Sequence, residues 1–156
     1  MDFGTIERET YVEASPDIVF DVVSSPAHLQ EWWPDEARYD PTPGSPGSAG
    51  EIVFGDRDAA GAVVPFTVVD ARPPRTFSFR WTHPADEVAA EGNSLLVTFD
   101  LTPSGGGTLL RMTETGFREM GWEAAVLEQQ YQEHVHGWDF FLPRLAPYVA
   151  TLEVSP

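Results

Sequence analysis

Glu114 and His134 are the two residues of this sequence best placed to do chemistry in a confined space. The run into Glu114 alternates Leu110, Met112 and Glu114 against Leu109, Arg111 and Thr113. On a strand, therefore, Glu114 shares a face with two large apolar side chains. If that face is the inner one, a carboxylate enters apolar space and becomes a candidate acid, base or ligand hook. The plainer alternatives are a place at the strand end beside water, or pairing with Arg80 or Arg111. His134 and His136 stand about 200° apart on a helix and cannot share one metal ion. His134 falls at the edge of an apolar stripe, where it can hydrogen-bond a ligand or, more plainly, a sheet carbonyl or water. His136 points to solvent. His28 and His83 lie in a surface helix and a turn and are given no role.

Other chemistries find no support. The chain has no Cys, which excludes disulfides, thiolate catalysis and Cys-ligated metals. No nucleophilic triad or paired-carboxylate spacing is found. Ser104-Gly105-Gly106-Gly107 lacks the strand-to-helix setting of a phosphate cradle, and Asp56, Asp58 and Asp70 are loop or strand-end acids, too few oxygen ligands for a calcium site. No metal and no other cofactor is expected.

The elements that must position these groups are legible in the pattern. Leu127, Tyr131, Val135, Trp138, Leu142, Leu145 and Val149 fall within an arc of roughly 80° on a helical projection. So narrow a stripe needs a flat apolar partner, and the segments before it read as an antiparallel sheet. Thr5 to Ala14 alternates as a first strand. Ser15-Pro16 and Ser25-Pro26 each open a short helix, with Ser as N-cap and Pro at the first helical position. Ile18, Val19, Val22 and Val23 form the apolar face of the first helix, and Leu29, Trp32 and Trp33 that of the second, which Pro34 ends. Pro41 to Gly50 reads as a turn-rich loop and candidate flap.

Four strands follow at Glu51 to Gly55, Ala62 to Ala71, Thr76 to Thr82 and Ser94 to Thr102. A turn at Pro103 to Gly107 then leads into a fifth, Thr108 to Thr115. The long helix is expected to begin near Glu119 to Trp122. Pro143 should kink it around Asp139 to Pro143, leaving a last turn or two up to Pro147. Gly137, which costs about 1 kcal/mol in a helix relative to Ala, is expected to let the helix approach the sheet closely.

The contents of a gap between that helix and sheet are suggested by aromatics on faces predicted to point inward. Phe54, Phe66, Phe79, Trp81, Phe99 and Trp138 suit flat or acyl ligands through area burial and stacking, although each alone could simply fill a core. With Trp33, Met112, Glu114, Tyr131 and His134 they make up the expected ligand-binding set. Trp122 and Phe140 project on the opposite side and are expected to mark a homodimer or other protein partner surface. The alternative puts Trp122 before the helix and Phe140 under a loop.

Length and charge bound the rest. The 156 residues are 42% hydrophobic and suffice for one domain over residues 1–156. The formal net charge is -16, and all nine basic residues are Arg. Such a surface repels nucleic-acid phosphates and anionic membranes, so neither is an expected partner. No apolar run approaches the ~18 residues of a membrane span. The N-terminal MDFGTIERETYVEA lacks the basic and apolar regions of a signal peptide, so a cytoplasmic location is expected.

Several residue groups occur in a telling order: Ser15-Pro16, Leu29 with Trp32-Trp33, Pro73-Pro74, Phe79-Arg80-Trp81, Val97-Thr98-Phe99, Gly107-Thr108, Glu114-Thr115-Gly116-Phe117 and Gly137-Trp138. Over about Ile6 to Val149 this order resembles the START/Bet v 1-like superfamily. Within it, the chain is most similar to a single-domain bacterial form of the family named for the activator of the Hsp90 ATPase. The resemblance implies an α+β helix-grip fold, a curved antiparallel sheet wrapped around a long C-terminal helix. It also implies, as leading expectation, binding of a small hydrophobic or aromatic ligand such as a lipid or polyketide. An enzyme of the cyclase or aromatase kind is the alternative and would need a polar pair inside the pocket. A co-chaperone binding Hsp90 by its outer surface is the third; eukaryotic members make much of that contact through an additional N-terminal domain not included in this chain.

Overall fold

The computed structural model describes residues 4–33, 36–38, 49–54, 62–82 and 89–154. The first strand, β1 (Thr5–Val12), leads into two short helices, α1 (Pro16–Ser24) and α2 (Pro26–Trp32). Each starts on its Ser-Pro pair. Ser15 is extended and its hydroxyl accepts the Ile18 amide, with Pro16 where a missing N–H leaves nothing unpaired. Ser25 precedes α2 without a side-chain bond of that kind. Val19, Val22, Val23, Leu29, Trp32 and Trp33 are buried, but Ile18 is exposed and Phe20 is buried in its stead. The buried arc of α1 is centred near Val19 and Val23, so at 100° per residue Ile18 falls outside it.

Six further strands complete the sheet: β2 (Glu36–Arg38), β3 (Ala49–Phe54), β4 (Ala62–Arg72), β5 (Thr76–Trp81), β6 (Leu95–Ser104) and β7 (Gly107–Thr115). All neighbours are antiparallel, in the order β1-β7-β6-β5-β4-β3-β2. β2 is not among the expected strands, because its three residues are too few to show a period. Ala49 and Gly50, expected in the loop, pair with Thr67 and Phe66; residues 41–48 of that candidate flap lie outside the described residues.

Two local devices keep the inner face in phase. A bulge between Val68 and Asp70 leaves Val69 exposed, so Phe66, Val68 and Ala71 all remain buried opposite Trp81, Phe79 and Phe77. The β6–β7 turn narrows to Gly105-Gly106, whose φ values of 52° and 89° are the left-handed pair that a two-residue hairpin of type I′ requires. Gly107 follows under β1: a Cβ there would lie 2.5 Å from the Tyr11 hydroxyl and the Val12 carbonyl. Beside it the buried Thr108 hydroxyl donates to the Ala14 carbonyl at 2.7 Å.

After a 3-10 turn at Arg118–Met120 the chain enters α3 (Ala124–Phe141). Where a kink is expected, α3 gives way at Pro143 to a 3-10 turn at Leu142–Arg144, and α4 (Leu145–Val154) runs on past Pro147. Pro147 sits in the first turn of α4, where its missing N–H would have had no partner. Trp138, Leu142, Leu145 and Val149 are buried against the sheet, with Leu127, Tyr131 and Val135 partly so. The architecture is the α+β helix-grip arrangement. Among the described residues no helix is long and apolar enough to cross a membrane.

Candidate functional site

Strand register places Glu114 between Ile6 of β1 and Val97 of β6, with Phe79 of β5 next beyond Val97. The carboxylate thus stands in an apolar row and is 0% exposed. Removing a charge from water costs several kcal/mol unless hydrogen bonds replace its hydration. Two indole N–H groups and a ring nitrogen of His134 stand around the Glu114 carboxylate. Trp81 Nε1 donates to Oε2 at 2.7 Å and Trp138 Nε1 to Oε1 at 2.8 Å. His134 Nδ1 lies 2.9 Å from Oε1 and 3.0 Å from Oε2.

The plainer alternatives for both residues give way to this cluster. Arg80 donates to the Ser94 hydroxyl and Arg111 to Glu7, so neither is paired with Glu114. The His134 ring is held by a carboxylate, not by a sheet carbonyl, and meets Trp81 and Phe117 edge to face at 5.2 and 5.4 Å.

Outside the carboxylate lies a cavity of about 230 Å³ lined by Trp33, Trp81, Glu133, His134, Gly137, Trp138 and Phe141. Trp33 stacks on Trp138 with ring centroids 5.1 Å apart and meets Trp81 edge-on at 5.1 Å. Gly137 works differently from expectation. A Cβ built there would meet nothing within 4 Å, so the glycine does not admit a close approach; it leaves the cavity wall open. Glu133, Gly137 and Phe141 are wall residues that the reading of the sequence did not place there. Their signal is the four-residue spacing of one helical ridge beside the apolar stripe.

The expected ligand-binding set divides by position. Trp33, Trp81, His134 and Trp138 surround the cavity, and Glu114 stands behind them. Phe66, Phe79, Phe99 and Met112 are fully buried below, where Phe66 stacks on Phe79 at 4.2 Å and Phe99 lies 6.2 Å from Phe79. The Tyr131 hydroxyl donates to the Thr5 carbonyl at 3.0 Å. The side chain of Phe54 lies outside the described residues. The two aromatics expected on a shared outer face are not a pair. Trp122 precedes α3 and is partly buried against the core, whereas Phe140 is 64% exposed.

Trp138 also walls a second hollow of about 250 Å³, bordered by Arg8, Glu9, Thr10, Asp139, Leu142 and Pro143. Arg8 bridges it to Asp139, with N–O distances of 2.7 and 3.4 Å. That hydrogen bond holds the Asp139 carboxyl below its usual pKa, against a smaller opposing effect of burial.

Residues 13–150 match the sequence family described as activator of Hsp90 ATPase homolog 1-like protein. Among solved structures, a Mesorhizobium loti protein is 23% identical with a TM-score of 0.69, over 94% of this chain and 97% of its own. The Aha1 dimer of Colwellia psychrerythraea, solved in solution, is 18% identical with a TM-score of 0.63, over 93% and 95%. DynU16, a protein of the dynemicin biosynthetic locus, is 21% identical with a TM-score of 0.63, over 95% of this chain and 48% of its own. No curated protein matches the chain. At these identities the structural likeness is one of fold.

Proposed function

The chain belongs to the activator of Hsp90 ATPase homolog 1-like family, and from that premise we propose that it binds a small apolar or aromatic molecule in the cavity between α3 and the sheet. The observation that carries this reading is the wall itself: three indoles and Phe141 around an open hollow, with the buried Glu114 and the half-buried His134 paired on its inner side. Apolar walls with a few convergent polar groups are the usual make-up of a small-molecule site. At about 230 Å³ the hollow is larger than the roughly 150 Å³ apolar cavity that takes benzene, so it suits one or two fused rings better than a sterol. The kinship of fold with a protein from a biosynthetic locus agrees with such a role.

An amide chemical-shift titration with a mixed panel of fatty acids, flavonoids and small aromatic polyketides tests it. Shifts centred on Trp81, His134, Gly137 and Trp138 are expected. A panel that moves none of these sinks the reading.

A second reading is an enzyme acting on a polyketide in the same cavity, and the pairing of His134 with Glu114 supplies the polar pair it requires. Turnover that disappears in Glu114→Gln while binding persists would establish it. Since the Colwellia relative is a dimer, exposed Phe140 is the place we assign to a homodimer contact. Sedimentation of Phe140→Asp as monomer beside a dimeric wild type would support it, and a monomeric wild type would end it.

A further inference from the structure

We propose that the cavity selects aromatic molecules bearing a neutral hydroxyl, a phenol or an enol, which donates its hydrogen bond to Nε2 of His134. This rests on the cavity-binding reading and adds the class of molecule. Glu114 sets the proton positions. An indole N–H can only donate, and the two indoles engage different oxygens of the carboxylate. Both oxygens also face His134 Nδ1, at 2.9 and 3.0 Å. A nitrogen flanked by two acceptor oxygens must carry the proton, which fixes the tautomer: Nδ1–H toward Glu114 and, in the neutral ring, a lone pair on Nε2. Glu114 is thus a positioning residue, acting on a ligand through the imidazole.

Nε2 diverges from Nδ1 across the ring, and among the described residues it has no hydrogen-bond partner. His134 forms part of the cavity wall and its side chain is 13% exposed, and we assign Nε2, the ring nitrogen turned away from Glu114, as the atom that meets what the cavity holds. The rest of the wall favours the same choice. The N–H groups of Trp81 and Trp138 are directed at Glu114 and are not offered to a ketone or ether oxygen. Glu133, a further polar side chain of the wall, is an acceptor whose charge disfavours carboxylates and phenolates. A flat molecule with a neutral O–H satisfies every one of these conditions.

The test is calorimetric titration of β-naphthol and its methyl ether into the wild type, His134→Phe and Glu114→Gln. The proton positions on His134 are read from nitrogen-15 shifts of the free wild type. We expect Nδ1–H with an unprotonated Nε2, and naphthol binding about tenfold or more tighter than its ether, the scale of one buried hydrogen bond. In His134→Phe the two probes should bind alike. In Glu114→Gln the amide donates to Nδ1 and the tautomer reverses, so Nε2 becomes a donor to either oxygen and the naphthol should lose its advantage over the ether. Removing a merely structural carboxylate would leave that advantage in place. Equal affinity of both probes for the wild type, or a proton on Nε2, overturns hydroxyl selection while leaving cavity binding intact; failure of both probes to bind overturns both. If Glu114→Gln does not fold, His134→Phe and the tautomer decide alone.

Discussion

Two stretches of the same inner sheet face lie two residues apart on β7 and four apart on β5, about 7 and 13 Å along the strands. In one, Phe77, Phe99 and Met112 lie side by side across β5, β6 and β7, with Phe20 of α1 edge-on to Phe77 at 6.3 Å and Trp32 edge-on to Phe99 at 6.4 Å. All three strand residues are fully buried and bring no polar side-chain group. In the other, Trp81, His134 and Trp138 surround the Glu114 carboxylate and border a hollow. Both stretches are made of rings. Where the rings of the sheet are phenyls they fill the space; where two indoles and an imidazole converge they hold a charge that an apolar core would exclude. Rules of core construction are broken on one side only, and that asymmetry separates scaffold from site.

The strongest way to break the comparison is at the filled side. Phe99→Ala should cost about 3–5 kcal/mol, the range for a large ring deleted from a core, read as a lowered urea midpoint with an unchanged slope. A cost under about 1 kcal/mol would show that this side is as loosely packed as the other. Next comes Glu114→Leu. It leaves two indole N–H groups and the imidazole without their acceptor, and should cost about 2–3 kcal/mol after the added apolar burial offsets part of the loss. A more stable variant would mean that the cluster is simply a costly core.

Gly137→Leu sharpens the contrast from the other direction, by filling the second stretch. Because a Cβ there meets nothing within 4 Å and leucine is the better helix former, stability should hold or rise by up to about 1 kcal/mol. Affinity for any cavity ligand should fall at least about tenfold (about 1.4 kcal/mol). The smallest effect belongs to the rim. The Arg8 guanidinium lowers the Asp139 pKa, so the pair's contribution is present above the ordinary carboxylate pKa and is lost as pH falls through the depressed one. Both groups are more than a third exposed, so Asp139→Asn should cost less than about 1 kcal/mol at neutral pH, and less still in high salt.

Much of this was legible because it is periodic. The stripe from Leu127 to Val149 and the alternation of Phe77, Phe79 and Trp81 each repeat long enough to declare helix or strand, and from them the grip follows. The shared face of Leu110, Met112 and Glu114 likewise placed the carboxylate. What stayed hidden is what periodicity does not encode. The bulge at Val69 shifts phase by one residue, the three-residue β2 has no period at all, and Pro147 is a breaker only when it is not in a first turn. The bond between His134 and Glu114 joins groups twenty residues apart whose meeting depends on how far α3 stands from the sheet. Gly137 shows the same limit: its spacing beside Trp138 is visible, but whether a missing side chain closes a gap or leaves one is decided by its neighbours in space.

The indoles around the hollow have an optical consequence. Three of the chain's five tryptophans line it, two of them stacked 5.1 Å apart and two hydrogen-bonded to the carboxylate. Chromophores so close share their excited states, and their emission is sensitive to any neighbour that displaces water or alters the field of the carboxylate. The protein therefore carries an unlabelled reporter in its own wall: near-ultraviolet dichroism and quenching of native fluorescence should register occupancy of the hollow before any ligand has been named.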